Sequence, residues 1–286
     1  MPELPEVETI ARALRPQLVG RTILEANVRW ARTIATPSAN KFKEQVRGQQ
    51  VREVSRRGKF LVINLRSSRD PIKEPYNLLI HLRMSGDLAV KKGKINPEKH
   101  DRLILDLSPG TLPGSSRETK GKGSLVFNDT RKFGRVWLTK DMQEVTGSLG
   151  PEPLTSDFTA QWLYKSLRQR HRQLKPLLLD QTFLAGLGNI YTDESLHRAK
   201  LHPLTPSDSV TRKQAEHLHR AIRTILREAI RRNGASFDWV YRGGEFQNHF
   251  RVYDREGEPC PVCGTKIQKI FVGQRGTHFC PHCQRE

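Results

Sequence analysis

Cysteine is nearly absent from this chain. Of 286 residues only four are Cys, and all four lie beyond position 259. The N-terminus has no basic stretch followed by an apolar core, so no secretory signal is read, and an oxidising compartment that would pair these thiols as disulfides is not expected. No apolar run approaches about 18 residues, so no segment is expected to span a bilayer. There are no internal repeats. Acidic residues are also in short supply: 30 Asp and Glu stand against 49 Lys and Arg, a formal net charge of +19. That excess exceeds what solubility requires and creates a field that attracts polyanions, nucleic acid first among them. Residues 158–242 alone carry fifteen basic and seven acidic side chains, a net of +8. Charge by itself leaves a ribosomal-type or membrane-surface protein open.

The length favours two domains plus a small module. Residues 5–19 read as a helix, because Val7, Ile10, Ala11, Leu14 and Leu18 recur at helical spacing and Gly20 follows as a stop. From about 22 to 140 the signals are strands: 60–65, 78–82, 102–107, 125–128 and 136–138 are short apolar or alternating runs. They predict an antiparallel two-sheet β domain with the first helix packed on it. The Gly-, Ser- and Pro-rich stretch 108–124 is expected to be an exposed loop. Residues 147–153 (GSLGPEP) punctuate the chain, and the pattern beyond them is helical. Asp157 is the expected N-cap of a helix over 158–170, and Ser207 or Asp208 that of the longest helix, ended by Gly234. The fold expected is thus multidomain α+β: a β domain over 1–146, a linker over 147–156, a helical domain over 157–245 and a metal-binding tail over 246–286.

In that tail Cys260-Pro-Val-Cys263 and Cys280-Pro-His-Cys283 are two CxxC knuckles with sixteen residues between them. The spacing predicts a single zinc ion held tetrahedrally by the four thiolates of Cys260, Cys263, Cys280 and Cys283. Four protein ligands leave no open coordination position, so the ion is expected to be structural. Residues 267–272 alternate like one strand of a hairpin, and 273–276 (GQRG) would be its basic tip, offering Arg275 to a phosphate.

The first eight residues, MPELPEVE, carry the sharpest chemistry. Removal of Met1 would leave Pro2 with a free secondary amine, partly neutral at physiological pH. Such an amine can form an imine with a sugar aldehyde carbon, and Glu3 beside it could move a proton. Taken alone, the same residues read first as a stiff acidic lead-in to a helix. Further motifs interlock with them. Gly186-Leu-Gly-Asn189 precedes an apolar helix and could cradle a phosphate with backbone N–H groups and the Asn189 amide, or could be a tight turn between packed helices. Lys59 sits in RRGKF, a basic turn that is either a solvated hairpin end or a phosphate contact. Met84 in HLRMSG and Arg131 and Phe133 in DTRKFG could wedge into a base stack and bond a stranded base; singly, Met84 and Phe133 read as core, with Arg131 and Phe133 sharing a face of an extended strand.

Together PELPEVET, RRGK(F)L, HLRMSG, TRKFG, GLGNIYTDE and RGTHFCPHCQ, in order along nearly the whole chain, resemble the bacterial formamidopyrimidine-DNA glycosylases, which excise oxidised purines. The resemblance implies an N-terminal β-sandwich with a flanking helix, a helix–two-turn–helix domain and a zinc-finger hairpin, with damaged double-stranded DNA bound in a cleft between domains. It implies catalytic roles for Pro2, which attacks C1′, Glu3, Lys59 and Arg275, with Glu6 in support. Contacts to DNA fall to Met84, His100, Arg131, Phe133 and Asn189, with Arg131 facing the orphaned cytosine. A glycosylase and abasic-site lyase, monomeric and cytoplasmic on the bacterial nucleoid, is expected, with no metal in the chemistry. One departure stands out. The stretch 235–246 (ASFDWVYRGGEF) is about three residues shorter than the family's loop over the flipped base and carries Trp239, Tyr241 and Arg242. Ring-opened purines or hydantoins are therefore expected to be excised at least as well as 8-oxoguanine. Two rivals remain: the sister oxidised-pyrimidine glycosylases, disfavoured by Leu4 and by the Arg131–Phe133 wedge, and a non-catalytic zinc-finger nucleic-acid-binding protein, which would not need Pro2-Glu3.

Overall fold

A computed structural model describes residues 1–68, 74–93, 95–111, 118–236 and 243–285. The chain divides into two compact units. The first contains residues 1–2 and 6–148, the second residues 3–5, 149–236 and 243–286. Among the described residues no helix is long and apolar enough to cross a membrane.

The first unit is a β-sandwich. Its helix α1 (Leu4–Leu18) turns Val7, Ile10, Ala11, Leu14 and Leu18 into the core, as the spacing requires. Then come β1 (Ile23–Val28), β2 (Ile34–Thr36), α2 (Ala39–Val46), β3 (Gln49–Arg57), β4 (Phe60–Ser67), β5 (Tyr76–His81), β6 (Gly86–Lys92), β7 (Asp101–Leu107), β8 (Gly110–Thr111), β9 (Glu118–Lys120), β10 (Gly123–Asp129), β11 (Arg135–Thr139) and α3 (Gln143–Thr146). One sheet runs β1-β7-β10-β6, the other β2-β11-β5-β4-β3. Their inward side chains, Leu61, Ile63, Leu78 and Ile80 from one and Leu103, Leu105, Leu125 and Phe127 from the other, share one core with α1. Every pairing in these two sheets is antiparallel except β2 with β11, which is parallel. The 108–124 stretch is not a plain exposed loop: Gly110 and Thr111 pair with Lys120 and Glu118, and Gly123 and Ser124 are buried in β10.

The second unit is built on helices α4 (Ala160–Arg168), α5 (Leu174–Leu179), α6 (Asn189–Ala199) and α7 (Arg212–Arg231), with the hairpin β12 (Gln268–Val272) and β13 (Arg275–Phe279). Two caps differ from expectation. Thr159, not Asp157, caps α4 by accepting from Trp162 N at 3.0 Å. Thr211, not Ser207 or Asp208, caps α7 through a reciprocal pair with Gln214, while residues 207–209 form a separate 3-10 turn. The α7 face of Leu218, Ile222, Ile225 and Ala229 is buried, and Gly234 ends the helix with φ +75°. Helix α6 is buried on nearly all sides and packs against α5, α7 and β13.

Candidate active site and metal centre

The N-terminal segment is seated rather than frayed. Leu4 N–H donates to Gly186 O at 3.1 Å. The Glu3 carboxylate accepts from Gly188 N at 2.7 Å and from Ile190 N at 3.1 Å. These N–H groups open α6, where four donors lack helical partners and the helix dipole favours an anion. The glycines before α6 are there for close approach. A Cβ on Gly186 would fall 2.6 Å from Leu4 Cδ1, and one on Gly188 would fall 2.7 Å from Glu3 Cγ and closer still to its carboxyl carbon. Of the two readings of this turn, phosphate cradle or tight turn between packed helices, the first finds a carboxylate in the phosphate's place, the protein's own Glu3. Glu3 is buried and Pro2, its neighbour in the chain, half-buried.

Around this seat the second unit gathers several polar groups. Asn189 Nδ2 donates to Gly276 O at 2.9 Å. Lys175 is fully buried; its Nζ lies 2.6 Å from Asp193 Oδ1 and donates to Gly276 O at 3.1 Å. Burial pushes the Lys175 pKa down, against the attraction of Asp193 and of Glu3. Asp193 Oδ2 accepts from His278 N at 2.9 Å. Asn189 and the β12–β13 hairpin are therefore brought together, with Arg275 exposed at the hairpin's tip. Gly273 and Gln274 form that tip with φ +54° and +62°, the two-residue turn that suits a twisted ribbon.

The first unit holds the other expected residues. Lys59 is buried on the β3–β4 turn, so it is not a solvated hairpin end, and Glu6 is buried in α1. Burial, then Arg83 and Lys59, depresses the His81 pKa to about 3, and its Nδ1 accepts from Arg83 N at 3.0 Å. Met84 and Phe133 are 46% and 48% exposed, so neither is core. Nor do Arg131 and Phe133 lie on an extended strand: Lys132 between them has φ +61°, and the turn folds the Arg131 guanidinium over the Phe133 ring at 4.9 Å. Buried Asp129 ties the two loops. Its Oδ1 accepts from Ser85 Oγ at 2.5 Å and Arg131 N at 3.2 Å, its Oδ2 from Gly134 N at 2.7 Å. Phe127 fills the space that a Cβ on Gly86 or Gly134 would enter, so both loops rest on one ring. His100, half-buried, shares its Nδ1 with Arg102 at 3.1 Å.

The four cysteines converge. Their sulfurs lie within 4.8 Å of one another, with Cys263 to Cys280 at 3.4 Å and Cys260 to Cys283 at 4.0 Å. Sulfurs around a tetrahedral zinc stand about 3.8 Å apart for Zn–S of about 2.3 Å, so this donor set fits the ion. Hydrogen bonds from Thr265 bring the Cys263 thiol down to about 6, while burial pushes the Cys280 and Cys283 thiols up. His197 Nε2 approaches Cys260 Sγ at 3.4 Å, an outer partner of the kind that orients a ligand.

Motif reasoning did not pick out Lys175, Asp129, Ser85 or His197. Asp129 and Ser85 stand inside the DTRKFG and HLRMSG motifs with no role of their own assigned, and Lys175 is a single charge in the apolar run LKPLLL.

Comparison with known proteins finds three matching segments in order along the chain. Residues 1–136 match the formamidopyrimidine-DNA glycosylase N-terminal domain, 149–239 the formamidopyrimidine-DNA glycosylase H2TH domain and 257–285 a zinc finger found in FPG and IleRS. A formamidopyrimidine-DNA glycosylase of Pelotomaculum thermopropionicum is 43% identical over 293 residues, covering 100% of this chain and 99% of the relative. One from Chloroflexus aurantiacus is 44% identical over 291 residues, covering 99% and 98%. Among solved structures, MutM with DNA containing carbocyclic 8-oxo-G has a TM-score of 0.87 at 36% identity, with both chains wholly covered. The Lactococcus lactis enzyme with DNA containing N7-benzyl-Fapy-dG gives the same values. Profiles that match all three segments in order, and relatives this similar from end to end, leave one assignment: the chain belongs to the formamidopyrimidine-DNA glycosylase family.

Proposed function

We propose that this protein is a base-excision repair glycosylase and abasic-site lyase for oxidised purines in duplex DNA, acting in the cytoplasm through Pro2. The observation that carries the reading is the seat of Glu3 and Leu4 on the start of α6, which anchors the chain within one residue of Pro2. A mere lead-in would have no use for two glycines that exist to admit it.

The steps follow from amine chemistry. Once Met1 is removed, the Pro2 nitrogen attacks C1′ of the flipped nucleotide, and the bond from C1′ to the base breaks as the base takes up a proton. Opening of the sugar ring, with Glu3 supplying the proton to O4′, gives an iminium between Pro2 and C1′. Loss of the C2′ proton breaks the bond to the 3′ phosphate, and a second elimination breaks the bond to the 5′ phosphate. Flipping costs a few kcal/mol, offset by filling the gap in the stack. Met84, Arg131 and Phe133 take that role, being exposed on two loops tied through Asp129. Lys59, Asn189 and Arg275 hold phosphates, His100 contacts the DNA and Glu6 supports the catalytic segment. Zinc, when bound by the four cysteines, supplies fold to the hairpin and no chemistry.

Borohydride reduction in the presence of abasic-site DNA tests the mechanism. A covalent protein–DNA adduct, lost in Pro2→Gly and when Met1 is retained, is the expected result; an adduct that survives Pro2→Gly sinks it. Of the short stretch 235–246, residues 237–242 lie outside the described structure. Its stems are pinched together, since Ser236 Oγ donates to Gly244 O at 3.0 Å and accepts from Gly244 N at 2.8 Å. The shortness of the 235–246 stretch supports excision of ring-opened purines or hydantoins at least as fast as 8-oxoguanine. Single-turnover rates on matched duplexes decide it, and a large preference for 8-oxoguanine overturns it.

A further inference from the structure

Phe271 on β12 is 78% exposed, more than any other large apolar side chain among the described residues. A single exposed apolar residue ordinarily calls for no explanation, but three features set this one apart. The first is register. Phe271 pairs with Gly276 across the hairpin, so the cross-strand position that would cover its ring carries no side chain. The second is rigidity. Gly276 O accepts from both Lys175 and Asn189, and His278 N donates to buried Asp193, so the ring stands on a clamped ribbon. The third is charge. Lys269, two residues earlier on the same face, is exposed beside the ring, and Arg275, paired with Val272 on the opposite face, is exposed just beyond the turn. Lys269 Nζ has only a long contact to exposed Glu256, at 3.7 Å.

An apolar ring beside one exposed cation, on a ribbon whose other face offers a second, is poorly matched to an apolar protein surface, which would strip water from the charges without pairing them. It matches a polymer that alternates anionic phosphates with apolar sugars. We propose that Phe271 is a DNA-contacting residue whose ring packs on a deoxyribose edge beside a phosphate that Lys269 reaches on the same face of the hairpin. The inference rests on the DNA-repair reading above and extends it to a residue outside the motifs. The ring reads no base edge, so its contribution is the same on lesion-bearing and undamaged duplexes.

The test compares Phe271→Ser, Phe271→Leu and Arg275→Ala in the zinc-loaded full chain, on duplexes with and without an abasic-site analogue, over a range of salt. Losing a partly buried ring weakens binding about tenfold on both duplexes. The salt slope stays at the parent's value, because no phosphate contact is lost, whereas Arg275→Ala lowers it by about one. Phe271→Leu retains most of the affinity. In Phe271→Trp, DNA protects the added indole from iodide quenching. Unchanged affinity in Phe271→Ser, or an indole that DNA leaves open to iodide, overturns the inference. So does a parent dimer that Phe271→Ser dissociates without loss of DNA affinity, which would assign the ring to a second copy of the chain. A parent that fails to trap abasic DNA sinks the repair reading itself; a parent that traps while Phe271→Ser binds equally well sinks only this proposal.

Discussion

Gly188→Ala isolates the seat of the N-terminal segment with the smallest possible change. Gly188 has φ −132° and ψ −158°, backbone that alanine adopts freely, so any effect is steric. The added Cβ would lie 2.7 Å from Glu3 Cγ, and closer to the carboxyl carbon, with no room to shift along buried α6. Glu3 must swing away, giving up its bonds from Gly188 N and Ile190 N. Stranding a buried backbone donor costs about 1–3 kcal/mol, so stranding both costs roughly 3 kcal/mol or more of local stability. In the proposed mechanism the nucleophile is the adjacent residue, and a displacement near 1 Å at a reacting centre costs about 100-fold in rate. Single-turnover trapping on abasic-site DNA is therefore expected to slow by about 100-fold, with the metal still bound and non-specific DNA affinity retained. Gly121→Ala serves as control, since a Cβ there meets nothing within 4 Å. A Gly188→Ala protein that traps within about threefold of the parent, a difference under 1 kcal/mol, would refute the argument that this seat delivers Pro2.

Three further outcomes are expected. Lys175→Met leaves Asp193 buried without its cation and should cost about 3–5 kcal/mol, read from urea unfolding, while the double change Lys175→Met with Asp193→Asn should cost less than the sum of the two. Stripping the metal with a chelator, or Cys280→Ser, should melt the hairpin before the sandwich and abolish specific DNA binding; a chelated protein with unchanged melting and binding would exclude a structural ion. His81 is neutral when folded, with its pKa at about 3, while an unfolded His binds a proton near pH 6.5. Its stabilisation is therefore complete above pH about 6.5 and falls as the pH drops toward 3, by about 2 kcal/mol at pH 5. His81→Asn, which keeps an acceptor for Arg83 N, should flatten that loss; equal urea midpoints for parent and variant at both pH 7 and pH 5 would contradict it.

The elements that were legible in the sequence are those whose burial keeps a simple period. Helix α1 shows its stripe plainly, and β4, β5, β7, β10 and β11 are apolar enough to stand out. Strands β1 and β3 did not stand out, for a physical reason. Each carries a bulge, between Ile23 and Glu25 and between Val51 and Glu53, and the shift breaks the two-residue alternation into patterns with adjacent exposed residues. The metal centre was legible because its ligands come in two tight, evenly spaced knuckles. The Lys175–Asp193 pair was not, because its members are eighteen residues apart and meet only when α5 packs on α6.

Helix α6 shows why the rest of the site resists reading from sequence. Three of its surroundings are fixed by carboxylates that accept from backbone N–H groups. Glu3 binds the helix's own first N–H groups, Asp193 holds His278 N, and Glu194 accepts from Arg251, Val252 and Tyr253 N at 2.9–3.0 Å. Burial raises the Glu194 pKa, and those three donors oppose it. A bond to a backbone N–H is indifferent to which residue supplies it, so it leaves no complementary residue type to find at the other end. Only the glycines betray it, because they mark where two backbones or a backbone and a carboxylate must come closer than a Cβ allows. In a protein of net charge +19, an open helix N-terminus would invite a phosphate. Filling it with Glu3 closes that site to phosphate and, on the proposed mechanism, sets the carboxylate beside the Pro2 amine.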